Sequence, residues 1–190
     1  MHYLFLEFKS NNYQMNKFQE LVCLVTGSAG GLGRAAVRNL VNQGSKVVIC
    51  DLPDSKGGEL ATELGENVVF QPTDITSELD VANAIKCVQS KFGKLNVLLN
   101  CAGVGINAKV FGTTALKPLE LFEFQKVINT NLIGTFNVIR LACELFSLNK
   151  PGESVIINTS STAAFEGMIG HSAYSASNGG INAMTLPLSR

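Results

Sequence analysis

Near-continuous apolar runs alternate with helical hydrophobic patterns along this chain, and this alternation constrains its fold more than any other feature. Five of the apolar runs are predicted as strands, at residues 21–26, 46–51, 67–72, 95–101 and 154–159. Several are near-continuous apolar runs rather than alternating ones, as expected for parallel strands in a sheet that helices cover on both faces. Strand, helix and strand in repetition predict an α/β fold with a doubly wound parallel sheet of about five strands.

Between these runs, helices are predicted at residues 31–43, 78–92 and 119–148, and a last helix starts near residue 174. Gly44 is a plausible stop for the first helix, and Ser77, with Asp80 three residues later, is a plausible N-cap for the second. Residues 104–118 form a long connection that either shapes a substrate pocket at the sheet edge or is a tolerated surface insertion. The length of 190 residues suggests one domain with a proper core.

The composition excludes several kinds of protein. Lys plus Arg and Asp plus Glu both number 15, so the near-zero net charge does not support binding to nucleic acid or to acidic membranes. The five cysteines form no CxxC or Cys/His cluster, which argues against a metal site or a disulfide framework and favours a reducing compartment. No apolar stretch reaches the roughly 18 residues of a membrane span. Residues 1–20 resemble neither a signal nor a transit peptide and are predicted to be a poorly ordered arm.

A glycine-rich loop lies directly between the first predicted strand and the first predicted helix. It begins at Thr26 and contains Gly27, Gly31 and Gly33. Glycines here allow a tight turn, close backbone approach to a pyrophosphate and close packing of the helix on the strand. A plain turn would also use glycines, but this placement favours a Rossmann-type dinucleotide site.

Asp51 closes the second predicted strand, where a carboxylate can accept hydrogen bonds from an adenosine ribose. Its charge would repel a 2′-phosphate, so NAD is favoured over NADP. Arg34, beside the glycine loop, either meets such a phosphate or is a solvated residue of the first helical turn.

Further motifs follow in order along the chain, and together with the glycine loop they resemble the short-chain dehydrogenase/reductase family. The resemblance covers about residues 21–190 and rests on Gly27-x3-Gly31-x-Gly33, on Asp74, on Asn100-Cys-Ala-Gly103, on Asn131, and on Ser161 placed 13 residues before Tyr174. It implies that this chain is an oxidoreductase that transfers hydride between an alcohol carbon and a nicotinamide.

The resemblance implies a role for each matching residue. The pyrophosphate would be lined by Thr26, Gly27, Ser28, Gly31, Leu32 and Gly33, the ribose would be held by Asp51, the adenine by Asp74 and Ile75, and the middle of the cofactor by Cys101, Ala102 and Gly103. Ser161 would hydrogen-bond the substrate oxygen, Tyr174 would pass its proton, and Asn131 would hold a water in a proton relay.

Some of these residue types are also found in purely local structure. Asp74 is also a plausible helix-entry residue, Asn131 a tolerated polar group in a helix, and Ser160 and Ser161 plausible turn formers.

Several stretches, among them Asp51-Leu-Pro and Ile157-Asn-Thr, resemble family members that oxidise 3-hydroxyacyl-CoA and hydroxysteroid alcohols with NAD. For this chain the resemblance implies an acyl-CoA or steroid substrate, a homotetramer and a mitochondrial location. The N-terminal sequence gives no support for that location, and a cytoplasmic one is the alternative.

The family pairs its tyrosine with a lysine four residues later, on the same helix face, and this chain has Asn178 there. An isolated tyrosine loses its proton near pH 10, whereas a lysine ammonium roughly 4 Å away contributes about 4 kcal/mol towards its ionisation. Asn178 carries no charge, so turnover is expected to be lowered by about 10²–10⁴.

The family also continues past the position of Arg190 with further strands, so a truncated domain with residues 154–159 as an exposed apolar edge is expected. Two hypotheses therefore remain: an NAD-dependent dehydrogenase with impaired turnover, and a dinucleotide-binding or subunit protein whose site is vestigial.

Overall fold

The computed structural model describes residues 16–19, 21–112 and 116–190. Its strands are β1 Val22–Thr26, β2 Lys46–Asp51, β3 Val68–Pro72, β4 Val97–Asn100, β5 Phe111–Gly112, β6 Lys117–Pro118 and β7 Val155–Asn158. Its α-helices are α1 Asn16–Gln19, α2 Gly31–Asn42, α3 Gly57–Leu64, α4 Glu78–Phe92, α5 Leu121–Ile128, α6 Thr135–Phe146 and α7 Ser172–Leu188. A π-helical segment, Asn129–Gly134, joins α5 to α6, and a short 3₁₀ helix covers Thr162–Ala164.

Five strands form one parallel sheet in the order β3-β2-β1-β4-β7. The predicted α/β class and doubly wound parallel sheet are therefore confirmed, and each predicted strand lies within about two residues of an observed one. In such sheets the carboxyl ends of the strands share one edge, where the connecting loops can build a site.

The central strand of the sheet is buried on both faces, and its first four residues, 22–25, are all apolar. Val22 and Leu24 of β1 face a core built with α4 and α6, whereas Cys23 and Val25 face a second core built with α2 and α3. Each fully buried aliphatic side chain contributes about 1.5–3 kcal/mol relative to an exposed one. The near-continuous apolar run of β1 therefore favours a strand that helices cover on both faces.

The predicted helix signals are confirmed where they were strongest. Ser77 caps α4 by accepting a hydrogen bond from the backbone N–H of Asp80 at 3.2 Å. Gly93 ends that helix in the left-handed conformation, with φ 76°. Gly44, with φ 91°, follows the end of α2 as predicted.

Two helical features differ from the sequence prediction. Helix α3 was not predicted, because it is short and opens with Gly57 and Gly58, which lower helix propensity. Gly57 is needed there, since a Cβ at this position would overlap the ring of Phe70 on β3. The single helix predicted over residues 119–148 is instead α5, the π-helical segment and α6 in succession.

Strand β7 lies at the edge of the sheet and pairs with β4. Its apolar residues Val155 and Ile157 are 51% and 48% exposed, as expected for the predicted apolar edge. Among the described residues no helix is long and apolar enough to cross a membrane.

The N-terminal arm predicted for residues 1–20 lies outside the described residues except at 16–19, which form α1. The hydroxyl of Ser45 donates a hydrogen bond to the carbonyl of Phe18 at 2.8 Å, so α1 packs on the loop after α2. Within the long connection at residues 104–118, β5 and β6 form an antiparallel pair, and residues 113–115 lie outside the described part.

Candidate functional site

A cleft of about 1490 Å³ opens at the carboxyl ends of the strands. Its walls come from the loops after β1, β2, β3 and β4, from α5 and the π-helical segment, and from the first turns of α7. The sheet topology therefore brings together motifs that lie up to about 150 residues apart in the sequence (Gly27 and Asn178).

The glycine loop forms one end of this cleft, and two of its glycines are required by close backbone packing. A Cβ on Gly27, which has φ 62°, would lie 2.6 Å from the backbone of Ala102, and one on Gly33 would overlap the carbonyl oxygen of Gly27. These two glycines hold α2 tightly against the end of β1.

The other side of the loop is open. Gly31, with φ 50°, and Gly30 have nothing within 4 Å of an added Cβ. Gly30 is the N-cap of α2 and supplies no side chain to satisfy the first backbone N–H groups. Uncapped amides at the positive end of a helix, with free space in front of them, fit the pyrophosphate of a dinucleotide.

Thr26 and Ser28 support this loop from beneath and do not line the cleft. The Thr26 hydroxyl accepts hydrogen bonds from the backbone N–H groups of Cys101 and Ala102, at 3.2 and 3.3 Å. Ser28 is fully buried and donates its hydroxyl hydrogen to the carbonyl of Cys50 at 3.1 Å. Their predicted contacts with a cofactor stay predictions.

Asp51 lies at the end of β2 with its carboxylate in the cleft wall. Its Oδ2 accepts the N–H of Ala29 at 2.8 Å, and its Oδ1 accepts the N–H of Leu52 at 2.8 Å. A carboxylate has about four acceptor positions, so capacity remains for ribose hydroxyls.

Arg34 is turned towards helix α3. Its guanidinium lies 3.7 Å from the carboxylate of Glu63, which also pairs with Arg38 at 2.7 Å. The hydrogen bond from Arg38 is the main reason that the pKa of Glu63 lies below its usual range. Of the two interpretations of Arg34, this pairing favours the solvated helix residue.

The loop after β3 brings Asp74 and Ile75 into the same cleft. Asp74 Oδ1 accepts hydrogen bonds from both the backbone N–H and the hydroxyl of Thr76, at 2.8 and 2.7 Å. The carbonyl of Ile75 accepts a hydrogen bond from the side chain of Asn137 at 3.0 Å. Asp74 therefore stabilises the turn before α4, and in this turn Asp74 also lines the cleft.

Asn131, in the π-helical segment, ties the wall after β4 to helix α7. Its Oδ1 accepts the N–H of Val104, and its Nδ2 donates to the carbonyl of Val104, both at 2.8 Å. The same Nδ2 donates to the hydroxyl of Ser177 at 3.1 Å. π-Helical turns are frequent at functional sites. This one places the buried Asn131 amide between Val104, in the loop after β4, and Ser177 on α7.

Tyr174 and Asn178 occupy successive turns of α7, and both line the cleft. Asn178 is only 4% exposed, and its Nδ2 donates to the backbone carbonyl of Tyr174 at 2.9 Å. The amide is thus turned back along its own helix. His171 also lines the cleft, and its ring lies edge-on to that of Tyr174 with 6.3 Å between centroids.

Ser161 is the one predicted catalytic residue that does not line the cleft. Its hydroxyl accepts the N–H of Ala163 at 3.2 Å and caps the short 3₁₀ helix. The neighbouring Ser160 donates to the carbonyl of Asn178 at 3.2 Å and ties this loop to α7. Ser161 therefore serves the local turn and Ser160 a tertiary contact, and the predicted substrate contact of Ser161 stays a prediction.

Burial disfavours the thiolate form of the two cysteines that line the cleft, Cys50 and Cys101. Burial raises the pKa of the Cys101 thiol, against a smaller lowering by the hydrogen bond from Thr159. Burial also raises the pKa of Cys50 to about 12. No group of three or more His, Cys, Asp or Glu side chains within the described part of the chain could hold a metal ion.

Most of the predicted site residues do meet in this one cleft. They are Gly27, Gly31, Leu32, Gly33, Asp51, Asp74, Ile75, Cys101, Ala102, Gly103, Asn131, Tyr174 and Asn178. Sequence reasoning missed the helix face formed by Lys126, Thr130 and Ile133, which also lines the cleft. Lys126 lies four residues before Thr130 and Ile133 three residues after it, and this helical spacing is the signal that could have found them.

Comparisons with known proteins agree with this geometry. The family model for short chain dehydrogenase matches residues 21–190, and the chain belongs to that family of oxidoreductases. It is 50% identical over 173 residues to the 3-hydroxyacyl-CoA dehydrogenase type-2 of Drosophila melanogaster, covering 89% of this chain and 68% of the relative. It is 48% identical over 174 residues to the Homo sapiens protein of the same name, covering 90% and 67%.

A solved structure shares the fold. The crystal structure of 3-hydroxyacyl-CoA dehydrogenase type-2 from Mycobacterium avium matches with a TM-score of 0.83 at 36% identity, covering 90% of this chain and 69% of that one. The resemblance to the short-chain dehydrogenase/reductase family is therefore confirmed.

Proposed function

We propose that this chain is an NAD-dependent oxidoreductase for the alcohol group of 3-hydroxyacyl-CoA thioesters or hydroxysteroids, with lowered turnover. The observation that carries the proposal is that Tyr174 and the uncapped N-terminus of α2 open onto the same cleft. The names of the relatives support the acyl-CoA substrate class over the steroid class.

The residues of the cleft fit a dinucleotide along its length. The N–H groups of Gly31, Leu32 and Gly33 would hold the pyrophosphate, and Asp51 would accept the hydroxyls of the adenosine ribose. Asp74 and Ile75 would contact the adenine, and the segment Cys101 to Gly103 the middle of the cofactor. Bound NAD would supply the hydride acceptor.

The proton chemistry belongs to the residues at the Tyr174 end. Tyr174, as the phenolate, would take the proton of the substrate hydroxyl and become the phenol, and Ser161 would hydrogen-bond the substrate oxygen. Both hydrogens of Asn131 Nδ2 are used within the protein, so a relay water would bind at the remaining lone pair of Oδ1.

A second candidate is a dinucleotide-binding or subunit protein with little or no catalysis. It is favoured by one observation: the Asn178 amide, in place of an ammonium, is bound to the backbone carbonyl of Tyr174. In this arrangement Asn178 provides no positive charge beside the phenol. Both candidates require the cofactor site, and they differ in turnover.

The experiment that tests the proposal is thermal unfolding of the chain with and without NADH. A ligand that binds only the folded state at a hundred times its Kd adds about 2.7 kcal/mol, which should raise the Tm by about 5–10 °C for a chain of this size. A rise together with slow NAD-dependent oxidation of 3-hydroxybutyryl-CoA supports the enzyme. A rise with no oxidation above background supports the second candidate, and the absence of any rise contradicts both.

Asp51 is expected to set the choice between NADH and NADPH. Asp51→Ala should raise the Kd for NADH by about tenfold or more, because hydrogen bonds to a charged group contribute about 1.5–3 kcal/mol. Asp51→Asn keeps an acceptor for the loop but removes the charge, so it should narrow the preference for NADH over NADPH. Fluorescence titration with both cofactors measures this.

The matched control for the charge is Asp54→Asn, which changes the net charge equally at an exposed residue outside the cleft. It should leave both affinities unchanged. Tighter binding of NADPH than of NADH by the parent chain would contradict the assignment of Asp51.

A mitochondrial location and a homotetramer belong to the proposal by resemblance alone. Fractionation of cells that express the chain, and its mass in solution, test these two points directly. A cytoplasmic fraction would favour the alternative location.

A further inference from the structure

A serine outside the predicted set of site residues connects helix α7 to Asn131, which holds the loop after β4. Ser177 lies on α7 between Tyr174 and Asn178 and is fully buried. Its hydroxyl donates to the carbonyl of Tyr174 at 2.8 Å and accepts from Asn131 Nδ2 at 3.1 Å. It is thus the bridge between the helix that carries the tyrosine and the amide that holds Val104.

We propose that Ser177 is a positioning residue, which fixes the Asn131 amide and through it holds the segment Gly103–Gly105 as the cofactor-facing wall of the cleft. For the affinity of the cofactor this inference rests on the proposed function above. For the position of the wall it rests on the hydrogen bonds alone.

Asn131 is 3% exposed, and its amide needs every hydrogen bond that it makes. Its Nδ2 has two hydrogens, one donated to Val104 and the other to Ser177. Without the Ser177 hydroxyl, one buried hydrogen has no partner, which is costly inside a protein. The amide can recover a partner only by rotating, and rotation breaks its paired bonds to Val104.

The segment Gly103–Gly105, which depends on this amide, is closely packed. A Cβ on Gly103 would lie 3.3 Å from Asn131 Oδ1, and one on Gly105 would lie 3.7 Å from the ring of Tyr174. The chain from Gly103 to Gly105 is therefore packed between the amide and the tyrosine ring. A rotated amide would move this wall and alter the space beside Tyr174.

Serines inside helices often bond only to their own backbone, and the hydroxyl bond from Ser177 to Tyr174 is of that kind. The bond to Asn131 joins residues 46 positions apart, which local helix geometry does not require. Ser175, two residues earlier on the same helix, provides the contrast: its hydroxyl oxygen is buried and has no hydrogen-bond partner among the described residues.

The experiment compares Ser177→Ala with Ser175→Ala, each of which removes one buried hydroxyl from α7. Hydrogen exchange is followed at the Val104 amide, which donates to Asn131, and at the Leu98 amide in the buried strand β4, which reports global stability. In Ser177→Ala, exchange at Val104 should accelerate about tenfold or more relative to Leu98. In Ser175→Ala, that ratio should stay as in the parent chain.

Cofactor affinity is the second readout. Ser177→Ala should raise the Kd for NADH by about fivefold, and in the Asn131→Ala background the same substitution should cause no further loss, because Ser177 acts on the wall only through the Asn131 amide. A serine with a purely structural role would lower the Tm and leave the NADH affinity and the exchange ratio unchanged.

A ratio of exchange rates within about twofold of the parent in Ser177→Ala overturns the proposal. If that variant does not fold, Ser177→Cys is measured instead, because a thiol has a similar volume but makes only weak hydrogen bonds. The same twofold limit on the ratio of exchange rates then applies. If the parent chain does not bind NADH, the proposed function fails, and the exchange ratio still decides the role of Ser177.

Discussion

Replacing Asn178 with lysine is expected to raise NAD-dependent turnover at neutral pH by about 10²–10⁴. A lysine ammonium roughly 4 Å from a phenol oxygen favours the phenolate by about 4 kcal/mol at an effective dielectric constant of ~20. That amount corresponds to about a thousandfold in rate if it is expressed fully in the transition state. Steady-state oxidation of 3-hydroxybutyryl-CoA by Asn178→Lys and by the parent chain measures it.

The structure indicates how a lysine would fit at this position. Asn178 is buried but lines the cleft one turn after Tyr174, so a longer side chain can extend into the open space. The substitution gives up the hydrogen bond from Asn178 Nδ2 to the Tyr174 carbonyl. That carbonyl keeps the hydroxyl of Ser177 as a donor, so it is not left without a partner.

Two variants separate charge from size. Asn178→Met introduces a side chain of similar length without a charge and should leave turnover at or below that of the parent chain. In the Asn178→Lys background, Tyr174→Phe should abolish the gain, because the ammonium acts through the phenol. A folded Asn178→Lys chain that binds NADH and gains less than about tenfold would contradict the assignment of the two residues.

The fold could be predicted from the sequence because its strongest signals are local and agree with one another. The apolar runs of β1 and β2 are buried on both faces, and Ser77 and Gly44 mark helix ends by their own backbone chemistry. Helix α3 was missed because its glycines oppose helix formation, and the reason for Gly57, the ring of Phe70, is a contact made only in the folded chain.

The candidate site was predictable as a set of residues, whereas their contacts were not. The positions of the glycine loop and Asp51 after two strands, and the family resemblance for Tyr174, predicted them as site residues, and the structure brings them into one cleft. The orientation of the Asn178 amide and the bridge at Ser177 depend on how α7 packs against the π-helical segment. The hydrophobic pattern of the sequence does not reveal that residues 129–134 form a π-helix instead of an α-helix. These contacts therefore required the structure.

Gly33→Ala is expected to abolish NADH binding and to lower the stability of the chain, and this is the second large effect that we expect. The added Cβ would overlap the carbonyl oxygen and carbon of Gly27, which are backbone atoms and cannot swing aside. Relief requires α2 to move away from β1, which displaces the amides of its first turn from the cleft. Overpacking of this kind costs about 1–3 kcal/mol or more, so the Tm should fall by about 2–12 °C.

Gly179→Ala is the matched control, because it makes the same change inside α7 where nothing lies within 4 Å of the new Cβ. Alanine has the higher helix propensity by about 1 kcal/mol, so this variant should be as stable as the parent chain or more stable. Its NADH affinity should be unchanged, whereas Gly33→Ala should show no saturable NADH binding at concentrations that saturate the parent. Equal NADH affinity in the two variants would mean that the glycine loop is only a packing feature, and that the uncapped turn of α2 is not the anion site.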